Sequence, residues 1–264
     1  MCLILFAHQA HPKYPLILAA NRDEAYTRPA AAAAFWEDQP DIYGGRDLDR
    51  GGTWLGLTRS GKIAAVTNFR NAHAPRTAPR SRGELVSAYL SSRTDTETYL
   101  REVAARGDQY NGFILIAGDL AALYWLSNRG PGAARIPPGV HGLSNHLLNT
   151  PWPKIKRSKL ALEALLGADE KALTAGLFQI LADRSEAPDH ELPDTGVGLQ
   201  RERELSANFI GGEHYGTRAS TVVLVDAGGD VLFVERSFGA RGKALGEAAN
   251  RFRLDASAAA ITAR

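Results

Sequence analysis

The chain has 264 residues with 31 basic and 29 acidic side chains, and its formal net charge of +2 does not favour binding to nucleic acid or to a membrane surface. Its single cysteine excludes an internal disulfide and a cysteine-cluster metal site. No apolar stretch reaches the ~18 residues of a membrane span, and no basic segment precedes the first apolar run as in a signal peptide. We therefore expect one globular domain over residues 1–264, located in the cytoplasm.

The first two predicted elements form a hairpin of buried strands. Residues 3–7 and 16–20 are short apolar runs, and a proline-rich turn at 11–15 connects them. The second run leads into Asn21-Arg22-Asp23-Glu24. If the two strands pair antiparallel, this polar tetrad lies beside Cys2.

Cys2 directly follows the initiator Met1, and residue 2 is small enough for Met1 to be removed. Removal would leave a thiol and a free α-amine on one residue. The amine has a reference pKa of about 7.7–8.0 and can accept a proton, while a thiol of pKa ~8.5 becomes a nucleophile when a base or a cation favours the thiolate. The alternative is an inert buried cysteine, which is common in proteins.

The rest of the chain alternates between groups of strands and pairs of helices. Strands are predicted at 53–58, 62–69, 110–117, 121–126, 139–145, 220–225 and 231–235. Helices are predicted at 85–90, 94–105, 155–166 and 170–182. Connections or irregular segments are predicted at 30–34, 71–82, 128–138 and 185–198, and the tail after 254 is expected to fray. Such segregated runs predict an α+β fold, a four-layer αββα sandwich of two stacked antiparallel sheets flanked by helices.

The segment 71–82 contains three arginines, Arg76, Arg80 and Arg82. They are interpreted either as a solvated basic loop or as a clamp for an anionic group of a ligand, since arginine offers a planar fork of donors. The seven histidines are scattered without paired metal-ligand spacing, so no metal site is expected.

The chain resembles the NRDE family, also called the transport and Golgi organisation 2 homologue family. The resemblance is carried by an ordered set of short motifs that spans nearly the whole sequence. These motifs are Cys2 with Asn21-Arg22-Asp23-Glu24, Gly45-Arg46-Asp47, Gly52-Thr53-Trp54-Leu55-Gly56, Thr67-Asn68-Phe69-Arg70, Tyr110-Asn111-Gly112-Phe113, Gly142-Leu143-Ser144-Asn145, Trp152-Pro153-Lys154 and Gly216-Thr217-Arg218.

This resemblance implies an N-terminal-nucleophile hydrolase-like fold, with the cysteine aligned with the nucleophile of choloylglycine hydrolases and penicillin V acylases. It implies that the catalytic residues are Cys2, Arg22, Asp23, Asn145 and Arg218. Because the acylase arginine and aspartate are not adjacent, Asn21 or Glu24 is an alternative for one of those places. The residues expected to contact a substrate are Asn21, Glu24, Trp54, Asn68 and Arg70.

Two functions are consistent with the sequence. The first is a cysteine amidohydrolase that acts without a cofactor on a linear amide or a related acyl compound. The second is a binding or trafficking protein for haem, lipid or acyl-coenzyme A, since the resemblance also links the chain to haem and lipid homeostasis. In the second, Arg70, Arg76 or Arg218 would pair with propionates or phosphates.

Overall fold

The computed structural model describes residues 2–74 and 78–255. Within these ranges the chain forms strands β1 Cys2–His8, β2 Leu16–Ala25, β3 Ala30–Phe35, β4 Ile42–Asp47, β5 Leu55–Thr58, β6 Ile63–Asn68, β7 Phe113–Gly118, β8 Leu123–Ser127, β9 Ala134–Ile136, β10 Gly139–Leu143, β11 Tyr215–Val225, β12 Asp230–Phe238 and β13 Ala244–Arg253. The longer helices are α1 Arg82–Ser91, α2 Thr96–Ala105, α3 Pro153–Leu165, α4 Glu170–Leu181 and α5 Leu199–Ser206.

Local sequence signals explain where several helices begin. The Asp95 side chain accepts a hydrogen bond from the Thr98 amide at the start of α2, and Asp169 caps α4 in the same way through Ala172. Such caps satisfy one of the amide groups that the first helical turn leaves without a partner. Pro153 opens α3, where the missing amide hydrogen costs nothing.

The strands form two antiparallel sheets. The six-stranded sheet has the order β10-β1-β2-β11-β12-β13, and the seven-stranded sheet runs β3 to β9 in chain order. The hairpin of β1 and β2 therefore lies inside the first sheet, with β10 on one side and β11 on the other. Strand β11 carries Arg218, and the segment that follows β10 carries Asn145, both predicted for the site.

Burial of alternating side chains builds three apolar layers. Ile4 and Phe6 of β1 pack between the sheets, whereas Leu3 and Leu5 point to the opposite face and pack against α3 and α4. Helix α1 covers the outer face of the seven-stranded sheet at β6 and β7, and helix α2 covers it at β8. The predicted four-layer αββα sandwich is thus confirmed.

Some local predictions were wrong. Residues 30–34 form β3 instead of a connection, because small alanine side chains allow close pairing with β4. Strands β4, β9 and β13 and helix α5 were not predicted. The polar tetrad lies within β2, because pairing with β11 extends that strand to Ala25. Arg76 and the tail from 256 onward lie outside the described residues.

Within residues 2–74 and 78–255, no helix is both long enough and apolar enough to cross a membrane.

Candidate active site

Cys2 is the first residue of β1, so it lies where the strands of the six-stranded sheet end and not on an edge strand. Antiparallel pairing places it directly opposite Arg22 of β2. Only 7% of the Cys2 surface is exposed, and the residue lines a cavity of about 340 Å³ between the layers. Burial raises the pKa of its thiol, so this thiol depends on nearby positive charge to ionise.

The residues of the tetrad do not all lie on the same side of β2. Arg22 and Glu24 line the same cavity as Cys2. Asn21 points to the opposite face, where its amide donates to the carbonyls of Leu181 and Asn208, each at 2.8 Å.

The carbonyl oxygen of the Asn21 side chain accepts a hydrogen bond from Ser220 at 2.6 Å. Asn21 is fully buried and lines neither of the two cavities described here. Its contacts join the sheet to the helical layer, which is a structural role in place of the predicted contact with a substrate.

Asp23 is buried and lines the first cavity together with Cys2. Its Oδ1 accepts a hydrogen bond of 2.6 Å from the hydroxyl of Thr217, on the adjacent strand β11. The hydroxyl of Tyr215 donates to the Asp23 backbone carbonyl at 3.1 Å. Burial raises the pKa of the Asp23 carboxyl, so its charge state depends on surrounding cations.

Arg218 occupies an irregularity in β11, where the register with β2 shifts between Thr217 and Ala219. Its Nη1 donates to the carbonyls of Ala25 at 3.0 Å and Arg28 at 2.6 Å. The side chain thus holds the end of β2 and also lines the first cavity. A β-bulge of this kind redirects one side chain without ending the sheet.

Asn145 lies two residues beyond the end of β10. Because β10 runs antiparallel to β1, this end of β10 lies beside the start of β1, where Cys2 is. It is fully buried and has a positive φ of 55°. Its Nδ2 donates to the backbone carbonyl of Asn68 at 3.0 Å, and its own carbonyl accepts from the Arg70 amide at 2.7 Å. Asn145 therefore connects the two sheets near the end of β1 that carries Cys2, but it lines neither cavity. An amide nitrogen carries two hydrogens, and the contact with Asn68 uses one of them.

A second cavity of about 460 Å³ adjoins the first. Glu24, Arg28, Asn68, Arg82 and Asn111 line both. Trp54 lines only the first cavity and Arg70 only the second, so each remaining predicted contact residue faces one of them.

Among the described residues that line the two cavities, arginines outnumber acidic residues. The ten lining arginines are Arg22, Arg28, Arg46, Arg50, Arg70, Arg80, Arg82, Arg129, Arg201 and Arg218. The lining acids are Asp23, Glu24, Asp47 and Glu235.

Two buried charged residues near the site were not predicted. Glu235 accepts hydrogen bonds from the Ala33 amide at 2.8 Å and from the Thr221 hydroxyl at 3.1 Å, and it lines the first cavity. Burial raises the pKa of its carboxyl. The sequence signal that could have identified Glu235 as buried is its position in the otherwise mostly aliphatic run of β12.

Lys154 belongs to the motif Trp152-Pro153-Lys154. Its position at the start of a helix does not indicate from the sequence that it is buried.

No group of three or more histidine, cysteine, aspartate or glutamate side chains placed to hold a metal ion occurs in the described ranges.

The fold is that of the N-terminal-nucleophile hydrolases. A solved structure of the C2A variant of the conjugated bile acid hydrolase from Clostridium perfringens superimposes with a TM-score of 0.50 at 9% sequence identity, covering 96% of this chain and 92% of the other. Residues 1–240 match the family model described as Transport and Golgi organisation 2, and the chain belongs to that family.

Two relatives show how closely the chain follows this family. It is 44% identical to the Transport and Golgi organization protein 2 homolog of Bos taurus and 41% identical to that of Homo sapiens. Each comparison runs over 257 residues and covers 90% of this chain and 93% of the relative. The similarity is therefore not confined to one motif or one half of the fold.

Proposed function

We propose that the protein is an amidohydrolase in which Cys2, exposed as the terminal residue by removal of Met1, is the nucleophile. The observation that carries the proposal is the position of Cys2: it begins β1 opposite Arg22, beside Asp23, and lines a cavity. One similar solved structure is that of a conjugated bile acid hydrolase. We propose a linear amide or a related acyl compound as the substrate of this protein.

In the proposed reaction the Cys2 sulfur attacks the acyl carbon while the α-amine of the same residue takes the thiol proton. The resulting ammonium gives that proton to the departing amine when the C–N bond breaks, leaving a thioester on Cys2. Water then cleaves the thioester, releases the acid and restores the thiol. The Arg22 charge favours the thiolate, and the second Nδ2 hydrogen of Asn145 is the proposed donor to the tetrahedral oxyanion.

The lining of the cavities favours a second candidate function, the binding of an anionic acyl compound such as acyl-coenzyme A, or of haem through its propionates. Several lining arginines already pair with glutamates, including Arg70 with Glu202 and Arg201 with Glu204. Arg22 and Arg129 form no ion pair with an acidic side chain among the described residues. These two supply charge that a phosphate or carboxylate of a ligand can neutralise.

The amidohydrolase is tested with a p-nitrophenyl ester of a short fatty acid, which acylates a competent nucleophile and releases p-nitrophenolate. We expect a stoichiometric burst and a mass increase of one acyl group on the peptide that begins with Cys2. Cys2→Ala should lose both, while Cys2→Ser should keep a weaker burst because a hydroxyl remains. A burst of equal size in Cys2→Ala would contradict the nucleophile assignment.

The same variant separates the two functions. If the protein only binds, the wild type gives no burst, and Cys2→Ala binds palmitoyl-coenzyme A or haem as tightly as the wild type. Arg129→Gln should then weaken that binding by about tenfold, because one charge-assisted contact is lost. Absence of saturable binding of either compound would contradict the second function.

A further inference from the structure

Lys154 is a buried lysine behind the polar tetrad. Only 2% of its surface is exposed, and its ammonium donates to the carbonyls of Leu205 at 2.8 Å and Ala207 at 3.5 Å. These carbonyls lie at the C-terminal end of α5, a position that favours a cation. The lysine itself is the second residue of α3, where the helix dipole disfavours positive charge. Its burial therefore needs a further negative partner.

The chain segment from Leu205 to Ile210 connects this lysine to the site. The carbonyl of Asn208 accepts from Asn21, and the amide of Ile210 donates to the Thr217 hydroxyl at 2.9 Å. The same hydroxyl donates to Asp23 at 2.6 Å. The ammonium of Lys154 therefore contacts the start of the segment 205–210, and the carboxyl of Asp23 is connected to the end of the same segment through the Thr217 hydroxyl.

The charges around Lys154 come from three neighbouring parts of the fold and from its own helix. Burial lowers its pKa to about 8, Asp23 and Cys2 oppose that shift, and Arg70 and Arg157 add to it. Burial also raises the pKa of the Asp23 carboxyl, and the positive charge of Lys154 opposes that rise. Lys154 and Asp23 therefore stabilise each other's charged form.

We propose that Lys154 is a positioning residue whose ammonium keeps the Asp23 carboxylate ionised, so that Asp23 can hold the α-ammonium formed when Cys2 gives up its thiol proton. This inference rests on the proposed amidohydrolase function. Lys154 lines neither cavity, so it acts through Asp23 and does not touch the substrate. Asp23 faces the site, and Lys154 supplies the charge behind it.

A double-mutant cycle tests the pairing without any need for turnover. At pH 6.5, where Lys154 is charged, Lys154→Met should lower the Tm by at least about 5 °C, because it leaves the buried Asp23 charge uncompensated. In an Asp23→Asn background, which keeps the shape and the acceptor for Thr217, the same change should lower the Tm by no more than about 2 °C. The lost contacts with Leu205 and Ala207 are common to both backgrounds and cancel.

The effect on the nucleophile is read from the pH profile of Cys2 alkylation by iodoacetamide. We expect Lys154→Met to move the acid limb of this profile up by about one pH unit, so that labelling at pH 6 is about tenfold slower. Lys156→Met removes the same charge from an exposed position on the same helix and should leave the profile unchanged.

The outcomes separate this inference from the function on which it rests. Equal losses of Tm in the two backgrounds overturn the pairing of Lys154 with Asp23. A coupled loss with an unchanged alkylation profile overturns the positioning role and leaves only an electrostatic interaction that stabilises the fold. A wild type that iodoacetamide does not label contradicts the proposed nucleophile, and with it the role of Lys154.

Discussion

At the scale of single residues, the charge of Arg70 is balanced inside the protein. Its guanidinium lies 3.1 Å from a carboxylate oxygen of Glu202 and is stacked over Trp152, and both charged side chains are almost fully buried. The sequence predicted Arg70 as a contact for substrate, and it does line the second cavity. Its partner Glu202 lies in α5, which was not predicted from the sequence.

Arg70→Met is expected to lower the free energy of unfolding by about 3–5 kcal/mol, since it leaves the Glu202 charge buried without its partner. Urea denaturation at neutral pH measures this change. Arg203→Met is the matched control, because Arg203 pairs with Asp189 at the surface, where an ion pair contributes at most about 1 kcal/mol. Equal effects of the two substitutions would contradict the account of the Arg70 pair.

At the scale of elements, β1 carries a titratable group at each end. Cys2 begins the strand at the cavity, and His8 ends it with only 1% of its surface exposed. Burial lowers the pKa of His8 to about 4, with the positive charges of His141 and Arg135 acting in the same direction. The imidazole is therefore neutral in the folded protein at neutral pH, whereas in the unfolded chain it titrates near 6.5.

Because the folded pKa of His8 is lower than the unfolded one, its contribution to stability is fully present above pH 6.5 and is lost as the pH falls from 6.5 to 4. The shift corresponds to at most about 3 kcal/mol. Urea denaturation of the wild type and of His8→Leu across this pH range should show a steeper loss of stability in the wild type. Parallel curves would show that His8 does not titrate as described.

The strands that the sequence predicted are those whose apolar runs are continuous, such as β1, β7 and β11. The missed strands have weak local signals and depend on partners far along the chain. Strand β3 is almost all alanine, β9 has three residues, and β13 is mostly exposed. These strands form because they pair with neighbouring strands of the folded sheet, and a short stretch of sequence does not reveal that pairing.

At the scale of the whole molecule, the ordered set of motifs predicted the fold and the family. Gly45-Arg46-Asp47, Asn68 and Gly142-Leu143 lie at strand ends, whereas the tetrad and Gly216-Thr217-Arg218 lie within strands β2 and β11. The motifs also predicted that Cys2, Arg22, Asp23 and Arg218 come together along one cavity. They did not predict that Asn21 faces the helical layer or that Lys154 is buried behind Asp23. Both depend on side-chain direction and on the path of the segment after α5.

The proposed reaction requires that the mature chain begins at Cys2, so that one residue supplies both the sulfur and the amine. Intact-mass spectrometry of the purified protein, expressed without an N-terminal tag, measures this. We expect a mass lower than that of the full sequence by one methionine residue, with Cys2 as the first residue on N-terminal sequencing. A protein that fully retains Met1 would contradict the proposed reaction.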